Sequence, residues 1–251
     1  IGQPEAAPVL RRLVQTPGVD PNIRLEALTA LGVLRDAGSY DLCLDLLGDP
    51  WPAMRAAALR AAQVIDPDHF LTILSGLDAD AHVSVRIALA SILMKVNPEQ
   101  AIPRLMRMLA DRDARVVPAA IGALTHLKAP DLSPRLLTLL AADDVAVRAA
   151  AANALAELKA AGAETALAQA YRDGVKDASY AARAAALFAL RRLGAAAAMP
   201  VLREALADKD WAVRVRAAAL IRELDPQADV AAAMRPGPPR PATEYARPSL
   251  V

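Results

Sequence analysis

Pro200-Val-Leu202-Arg-Glu-Ala-Leu206-Ala-Asp208-Lys-Asp210-Trp-Ala-Val213-Arg214-Val-Arg-Ala217-Ala-Ala-Leu220 is the stretch on which the fold turns. Its first part places apolar residues four apart after a proline. Two aspartates then mark a turn, and a Val-Arg pair opens an Ala-rich run with apolar residues again three and four apart. That is the pattern of two short amphipathic helices joined by a tight connection. Working outward, an apolar residue followed by Arg and an Ala-rich run recurs at Ile23-Arg24, Met54-Arg55, Val85-Arg86, Val147-Arg148 and Ala182-Arg183. Successive arginine positions, up to Arg214, differ by 31, 31, 62, 35 and 31. The interval of 62 is two units of 31, and its midpoint holds Val116-Val117 in place of the dipeptide. Seven units follow, and a period of this length is the signature of a stacked repeat architecture.

With each Arg, or Val117, taken as position zero, residues at +4, +7 and +10 form an apolar helical stripe in every unit. Examples are Leu28, Leu31 and Leu34 in the first unit, and Ala218, Ile221 and Leu224 in the last. This is the inner, or B, helix. A second, A helix is anchored at +19 by Cys43, Leu74, Leu105, Leu136, Leu167 and Leu202, with further apolar residues at +22 or +23, Tyr171 among them. Pro67, Pro98, Pro130 and Pro226 follow the B helices, where a helix should stop. Pro103, Pro134 and Pro200 recur two residues before the A-helix anchor. A proline is best tolerated in a first turn, where the N–H groups lack intrahelical partners, so these three predict the A-helix starts. Four residues before the Arg position stand Asp20, Asp113, Asp144, Ser179 and Asp210, which predict N-caps for the B helices.

The motif, of the form P-x-L-x-x-L-L-x-D-x-D-x-x-V-R-x-x-A-x-x-A-L, resembles the HEAT repeat, in particular the short HEAT-like variety of phycobilisome lyases. The resemblance covers residues 4 to about 224. It implies an all-α fold, an α-solenoid of about seven two-helix repeats over residues 1–235. It implies little about function, because this scaffold is reused for many purposes.

The recurrent Arg24, Arg55, Arg86, Arg148, Arg183 and Arg214 invite a reading as a basic stripe, and Asp49, Asp80, Asp111, Asp177 and Asp208, six residues before the next Arg position, as an acidic one. The plainer reading is a structural ladder: stacked units bring equivalent positions into register, so that an Arg reaches the Asp-bearing turn of a neighbour. Small residues at +3, such as Ala58, Ala151 and Ala217, let neighbouring B helices approach closely. The B-helix face is commonly the ligand-facing one in HEAT-like arrays, which the resemblance implies here. Off-stripe positions +5 and +8 should lie on it, and they give Arg60, Gln63, Met94, Thr125, Asn153, Phe188, Arg191 and Arg222 as candidate partner-binding residues. This mixture suits peptide or protein contact better than catalysis. Trp51 and Trp211 sit on inter-helix turns and are expected to pack over the next unit's turn.

Composition narrows the functional classes. Of 251 residues, 60 are Ala and 36 Leu, while aromatics make up only 3%, as befits a helical chain. Net charge is +1, which gives no global pull toward nucleic acid or an anionic membrane. The longest charge-free stretch, Val116 to Leu127, is too short to span a bilayer. His69, His82 and His126 share no register and form no metal pair, and no His-Glu dipeptide of the kind carried by iron-binding HEAT-repeat hydroxylases occurs. No phosphate-binding Gly loop, nucleophile elbow or C-x-x-C is present, and Cys43 occupies a core anchor position. No catalytic, cofactor-binding or metal residue is assigned. A HEAT-like DNA glycosylase would need a strongly basic face with aromatics, toward which only the arginine clustering in the last two units points.

Three further expectations concern particular segments. The chain opens on Ile1, which reads as a trimmed or processed end, so no targeting signal or compartment is legible. Residues 236–251, beginning Pro236-Gly-Pro-Pro-Arg-Pro241, read as an extended Pro-rich linker. The run Tyr245-Ala-Arg-Pro248 resembles the junction between HEAT-like repeats and a cyclophilin-type peptidyl-prolyl isomerase domain in certain bacterial proteins, which would place catalysis outside this chain. The sequence therefore supports a non-catalytic protein- or peptide-binding scaffold, with a substrate-presenting arm of such an isomerase and a chromophore-lyase-like subunit as alternatives. Within the repeats, Pro118 predicts that the fourth B helix starts late or kinks. The lengthened interval between Arg148 and Arg183 predicts an enlarged turn between Tyr171 and Arg183, with Gly174 allowing a tight bend.

Overall fold

The computed structural model describes residues 4–76 and 79–231; residues 236–251, with their linker and isomerase-junction readings, lie outside these. Fourteen α-helices and no strand occur among the described residues. The A helices are α1 (Ala7–Gln15), α3 (Tyr40–Asp45), α5 (Pro67–Gly76), α7 (Pro98–Met108), α9 (Leu132–Leu139), α11 (Glu164–Asp173) and α13 (Ala195–Ala205). The B helices are α2 (Pro21–Leu34), α4 (Pro52–Ile65), α6 (Val83–Leu93), α8 (Val117–His126), α10 (Val145–Glu157), α12 (Ala181–Leu193) and α14 (Trp211–Leu224). The fold is an α-solenoid of two-helix repeats.

The chain divides into two compact units, residues 1–135 and 136–251. In the first, α2 packs on α4, α4 on α6 and α6 on α8, while α1, α3 and α7 each pack on the following B helix. In the second, α10 packs on α12 and α12 on α14, backed by α11 and α13. Register explains the core. At +4 and +7 every B helix presents a buried side chain, from Leu28 and Leu31 to Ala218 and Ile221, and every A-helix anchor from Cys43 to Leu202 is buried too. Most +10 residues are only half-buried, because the stripe drifts out of the contact as the helix ends. Close stacking needs small residues: a Cβ on Gly32 of α2 would sit 3.1 Å from the Ala61 Cα of α4.

Caps account for the boundaries. Asp20, Asp144 and Asp210 accept backbone N–H bonds at the starts of α2, α10 and α14, which offsets orphan donors at about 1 kcal/mol each. Asp113 does not cap α8. That helix begins late, with Pro118 in its first turn, so the Asp113 carboxylate instead accepts from Arg115 N in the preceding turn. Ser179 stands one residue before Tyr180, the N-cap residue of α12, but its Oγ accepts the N–H of Ala181, the first residue of that helix, at 3.3 Å. At their C-terminal ends α2, α8 and α10 close with Arg35, Lys128 and Lys159 in the left-handed region, φ 52°, 50° and 50°. The next residue's N–H then reaches back to Leu31, Leu124 and Leu155 O.

Two of the proline expectations need correction. Pro103 and Pro200 lie inside α7 and α13, not at their starts. α7 begins at Pro98, where Asn97 Oδ1 accepts Glu99 N at 2.9 Å, and α13 begins on four consecutive alanines, the best helix formers. A capped or Ala-rich first turn outweighs one backbone bond forgone further along.

The insertion also behaves differently from the expectation. α7, α9 and α13 end at Met108, Leu139 and Ala205, all at register position +22, whereas α11 runs on to Asp173, at +25 from Arg148. A 3-10 turn, Gly174–Lys176, follows. Most of the extra length is therefore helical, and not an open loop. Gly174 has φ −69°, so it is not there for a left-handed bend. What it supplies is space, because a Cβ at this position would lie 2.9 Å from Arg183 Cγ.

Candidate functional site

Each ladder arginine sits at the first turn of a B helix. Its aspartate lies further along the chain, at an offset of 25 for Arg55, Arg86 and Arg183 and of 29 for Arg148. Arg55 donates from Nε and Nη2 to both carboxylate oxygens of Asp80, at 2.7 and 2.8 Å. Arg86 does the same to Asp111, at 2.8 and 2.9 Å. The third nitrogen, Nη1, donates to the turn of the arginine's own repeat: to Asp49 O for Arg55, Asp80 O for Arg86, Ala142 O for Arg148 and Asp208 O for Arg214. Asp49, Asp80, Asp111 and Asp208 close the arrangement by accepting a backbone N–H two residues on, from Trp51, His82, Asp113 and Asp210. The guanidinium thus ties two turns together with a bidentate, charge-assisted contact. Hydrogen bonds from Arg55 and Arg86 hold the Asp80 and Asp111 carboxyls below the usual carboxylate range, partly offset by burial.

The rungs are not equivalent. Arg24 lies 3.8 Å from Asp49 and donates its Nε to Val14 O. Arg148 donates to Asp177. Arg183 is fully buried with Asp208, which it meets at 3.0 and 3.2 Å, and its Nη1 donates to Gly174 O at 2.7 Å. Tyr171 Oη donates to the same carboxylate at 3.0 Å; burial, then the Asp208 charge, push the phenol above its ordinary value. Between the two runs Val117 replaces the arginine, and Ala142, at the same offset of 25, stands where the other turns carry Asp. Both partners of that rung are missing together, a pairing legible in the sequence once the offset is known. The rungs therefore fall into two sets, Arg24 to Asp111 and Arg148 to Asp208, one within each compact unit.

The off-stripe residues divide by burial. Arg60, Asn153, Phe188 and Arg222 are exposed, and Met94 and Arg191 are half-buried. Gln63 and Thr125 are buried and do not belong to an accessible face. Thr125 Oγ1 donates to Ile121 O at 2.8 Å, the local bond by which a hydroxyl is satisfied inside a helix. The two tryptophans also differ from the common expectation: Trp51 is half-buried, but Trp211 is 56% exposed at the first position of α14. It lines a groove of about 470 Å³ with Phe188 of α12 and with Val215, Arg216, Ala219 and Glu223. Arg192 holds its guanidinium 5.9 Å from the Phe188 ring centroid. Arg191 Nε lies 3.0 Å from Glu223 Oε2, an ion pair without hydrogen-bond alignment.

No group of three or more His, Cys, Asp or Glu able to hold a metal occurs among the described residues. His69 stacks on Tyr40 at 5.5 Å, and His82 Nδ1 lies 3.3 Å from Ser84 N at the start of α6. Cys43 is fully buried, and desolvation, then the Asp36 charge, push its thiol up to about 12. No helix among the described residues is long and apolar enough to cross a membrane.

Residues 70–156 match the family described as HEAT repeats. Residues 70–156 are thus shown as HEAT repeats. The chain's array is similar to the crystal structure of an engineered protein at 20% identity and a TM-score of 0.51, covering 87% of this chain and 68% of that one. That similarity is one of fold. The complex of CpcE and CpcF of phycocyanin lyase from Nostoc sp. PCC7120 also aligns, at 22% identity and a TM-score of 0.40, covering 88% of this chain and 83% of that one. A search of curated proteins gave no match. The 31-residue register accounts for the buried stripes and anchors; it leaves Phe188 and Trp211 unexplained as packing residues.

Proposed function

We propose that this HEAT array is a non-catalytic scaffold that binds a protein or peptide partner on its B-helix face. The observation that carries the reading is the exposure of Phe188 and Trp211 on consecutive B helices of one unit, in an array whose apolar positions at +4, +7 and +19 are buried in packing. An exposed aromatic pair beside arginines is the composition of interface anchors. Arg60, Asn153 and Arg222 extend the polar part of the same helix face within their own units. The net charge of +1 argues for partners recognised by local contacts and against a nucleic-acid backbone, whose binding is driven by many simultaneous phosphate contacts.

Hydrogen exchange with a partner identified by affinity capture tests this reading. Slowed exchange in B helices, and loss of capture on Phe188→Ala with Trp211→Ala, is the expected result. Protection confined to A helices would overturn it.

A further inference from the structure

The groove between α12 and α14 has two features that together specify an occupant. The first is an apolar slot. Phe188 and Trp211 are 37% and 56% exposed, and Val215 and Ala219, one helical turn apart on α14, form the surface between them. A slot of this volume and lining takes a bulky apolar side chain. The second is a surplus of positive charge on its rim. Glu223 is matched by Arg191. Arg192, Arg216 and Arg222 have no ion-pair partner among the described residues, and all three are exposed. Arg222 follows Val215 and Ala219 on the same helical stripe, so cations flank the slot along α14.

We propose that this groove is a docking site for an acidic peptide segment that inserts one bulky apolar or aromatic residue between Phe188 and Trp211 and sets carboxylates on Arg192, Arg216 and Arg222. The proposal rests on the scaffold reading above and narrows it to one site and one chemistry. Charge complementarity selects this occupant. The chain's own residues 236–251 carry Arg240 and Arg247 against a single Glu244 and do not complement the rim. A nucleic-acid strand would bring its phosphates against the Glu223 carboxylate in the lining. An acidic peptide can instead leave Glu223 to Arg191 and place its own carboxylates as planar, bidentate partners of the remaining guanidinium groups.

The test uses the full chain in a selection from a random short-peptide display library, followed by titration of the selected peptides. Trp211 emission is the readout in a Trp51→Phe background, which leaves Trp211 as the sole tryptophan. Enriched peptides should carry a Leu, Phe or Trp flanked by Asp or Glu and shift Trp211 emission. Phe188→Ala, read by the same emission, or Trp211→Ala, read by fluorescence anisotropy of labelled peptide, should weaken them about tenfold or more, as expected for anchor truncation. The triple variant Arg192→Glu, Arg216→Glu, Arg222→Glu should abolish binding of acidic peptides while circular dichroism stays unchanged. Enrichment of basic or uncharged peptides, tighter binding of an oligouridine strand, binding indifferent to Phe188 and Trp211, or no enrichment at all would each overturn the proposal. So would self-association that Trp211→Ala abolishes, since a second copy would then fill the slot. If hydrogen exchange maps selected peptides to B helices other than α12 and α14, this site fails and the scaffold reading stands; if it maps them to A helices, both fail.

Discussion

Arg24 and Arg183 occupy the same register position in different units, yet one is half-buried and the other is completely buried. The Arg24 side chain is 30% exposed and stands 3.8 Å from its aspartate. The Arg183 and Asp208 side chains are 0% exposed, with Tyr171 and Gly174 O completing the enclosure. The difference traces to a handful of residues. Near Arg24 and Asp49 the A helix α3 is short and ends in the 3-10 turn Leu46–Gly48. Before Arg183 the inserted residues extend α11 and carry the turn Gly174–Lys176 over the guanidinium stem. One repeated contact thus becomes two energetically different objects. A surface ion pair contributes about 0–1 kcal/mol, whereas removing one partner of a buried pair costs about 3–5 kcal/mol, mainly by stranding the other charge.

The largest expected effect follows directly. Arg183→Ala should lower stability by about 3–5 kcal/mol, because Asp208 would remain buried with only Tyr171 Oη and Asp210 N as donors. Arg24→Ala should cost about 1 kcal/mol or less. Urea denaturation midpoints compare the two, and equal losses would break the distinction.

The glycines in the two 3-10 turns sharpen it. Gly174→Ala forces a Cβ to within 2.9 Å of the Arg183 stem, which cannot swing away without leaving Asp208, and should cost about 1–3 kcal/mol. Gly48→Ala meets nothing within 4 Å and should be neutral or stabilising by about 0.4–1 kcal/mol. Thermal melts of both variants suffice, and a harmless Gly174→Ala would show that the turn does not enclose the arginine tightly.

Acid should reach the first unit's rungs. The Asp80 and Asp111 carboxyls are held low in the folded state by Arg55 and Arg86. Their contribution is therefore present above the unfolded value near 4 and is lost as pH falls through the lower folded values. Replacing both by Asn should flatten the acid limb of stability against pH. An unchanged limb would remove these rungs from the balance.

The smallest effect concerns Cys43, at the +19 anchor. With its thiol raised to about 12, the folded state favours the neutral form, so its contribution is complete below the unfolded value near 8.5 and declines as pH rises from there toward 12. A thiol reagent near pH 8 should label the protein only after denaturant is added, and rapid labelling of the native chain would contradict this burial.

The period of 31, the stripes at +4 and +7 and the +19 anchors determined which faces of which helices are buried, because stacking repeats leaves one consistent way to remove those residues from water. The late start of α8 was legible too, since Pro118 admits few alternatives. The register of the rungs was half legible. Arginine and aspartate recur visibly, but the offset at which they meet, and so the joint replacement of Arg by Val117 and of Asp by Ala142, is read only from the rungs that form. Tertiary structure alone decided the rest. Gln63 and Thr125 share the helical spacing of exposed residues and are buried, because helix phase does not report how closely a neighbour approaches. Trp211 opens a B helix and Trp51 stands just before one, yet Trp211 is exposed over a groove, because what covers a helix start is supplied by another segment of the chain. The inserted residues near Gly174 gave a length, and only packing against Arg183 decided that they fold into helix and a 3-10 turn over a charge.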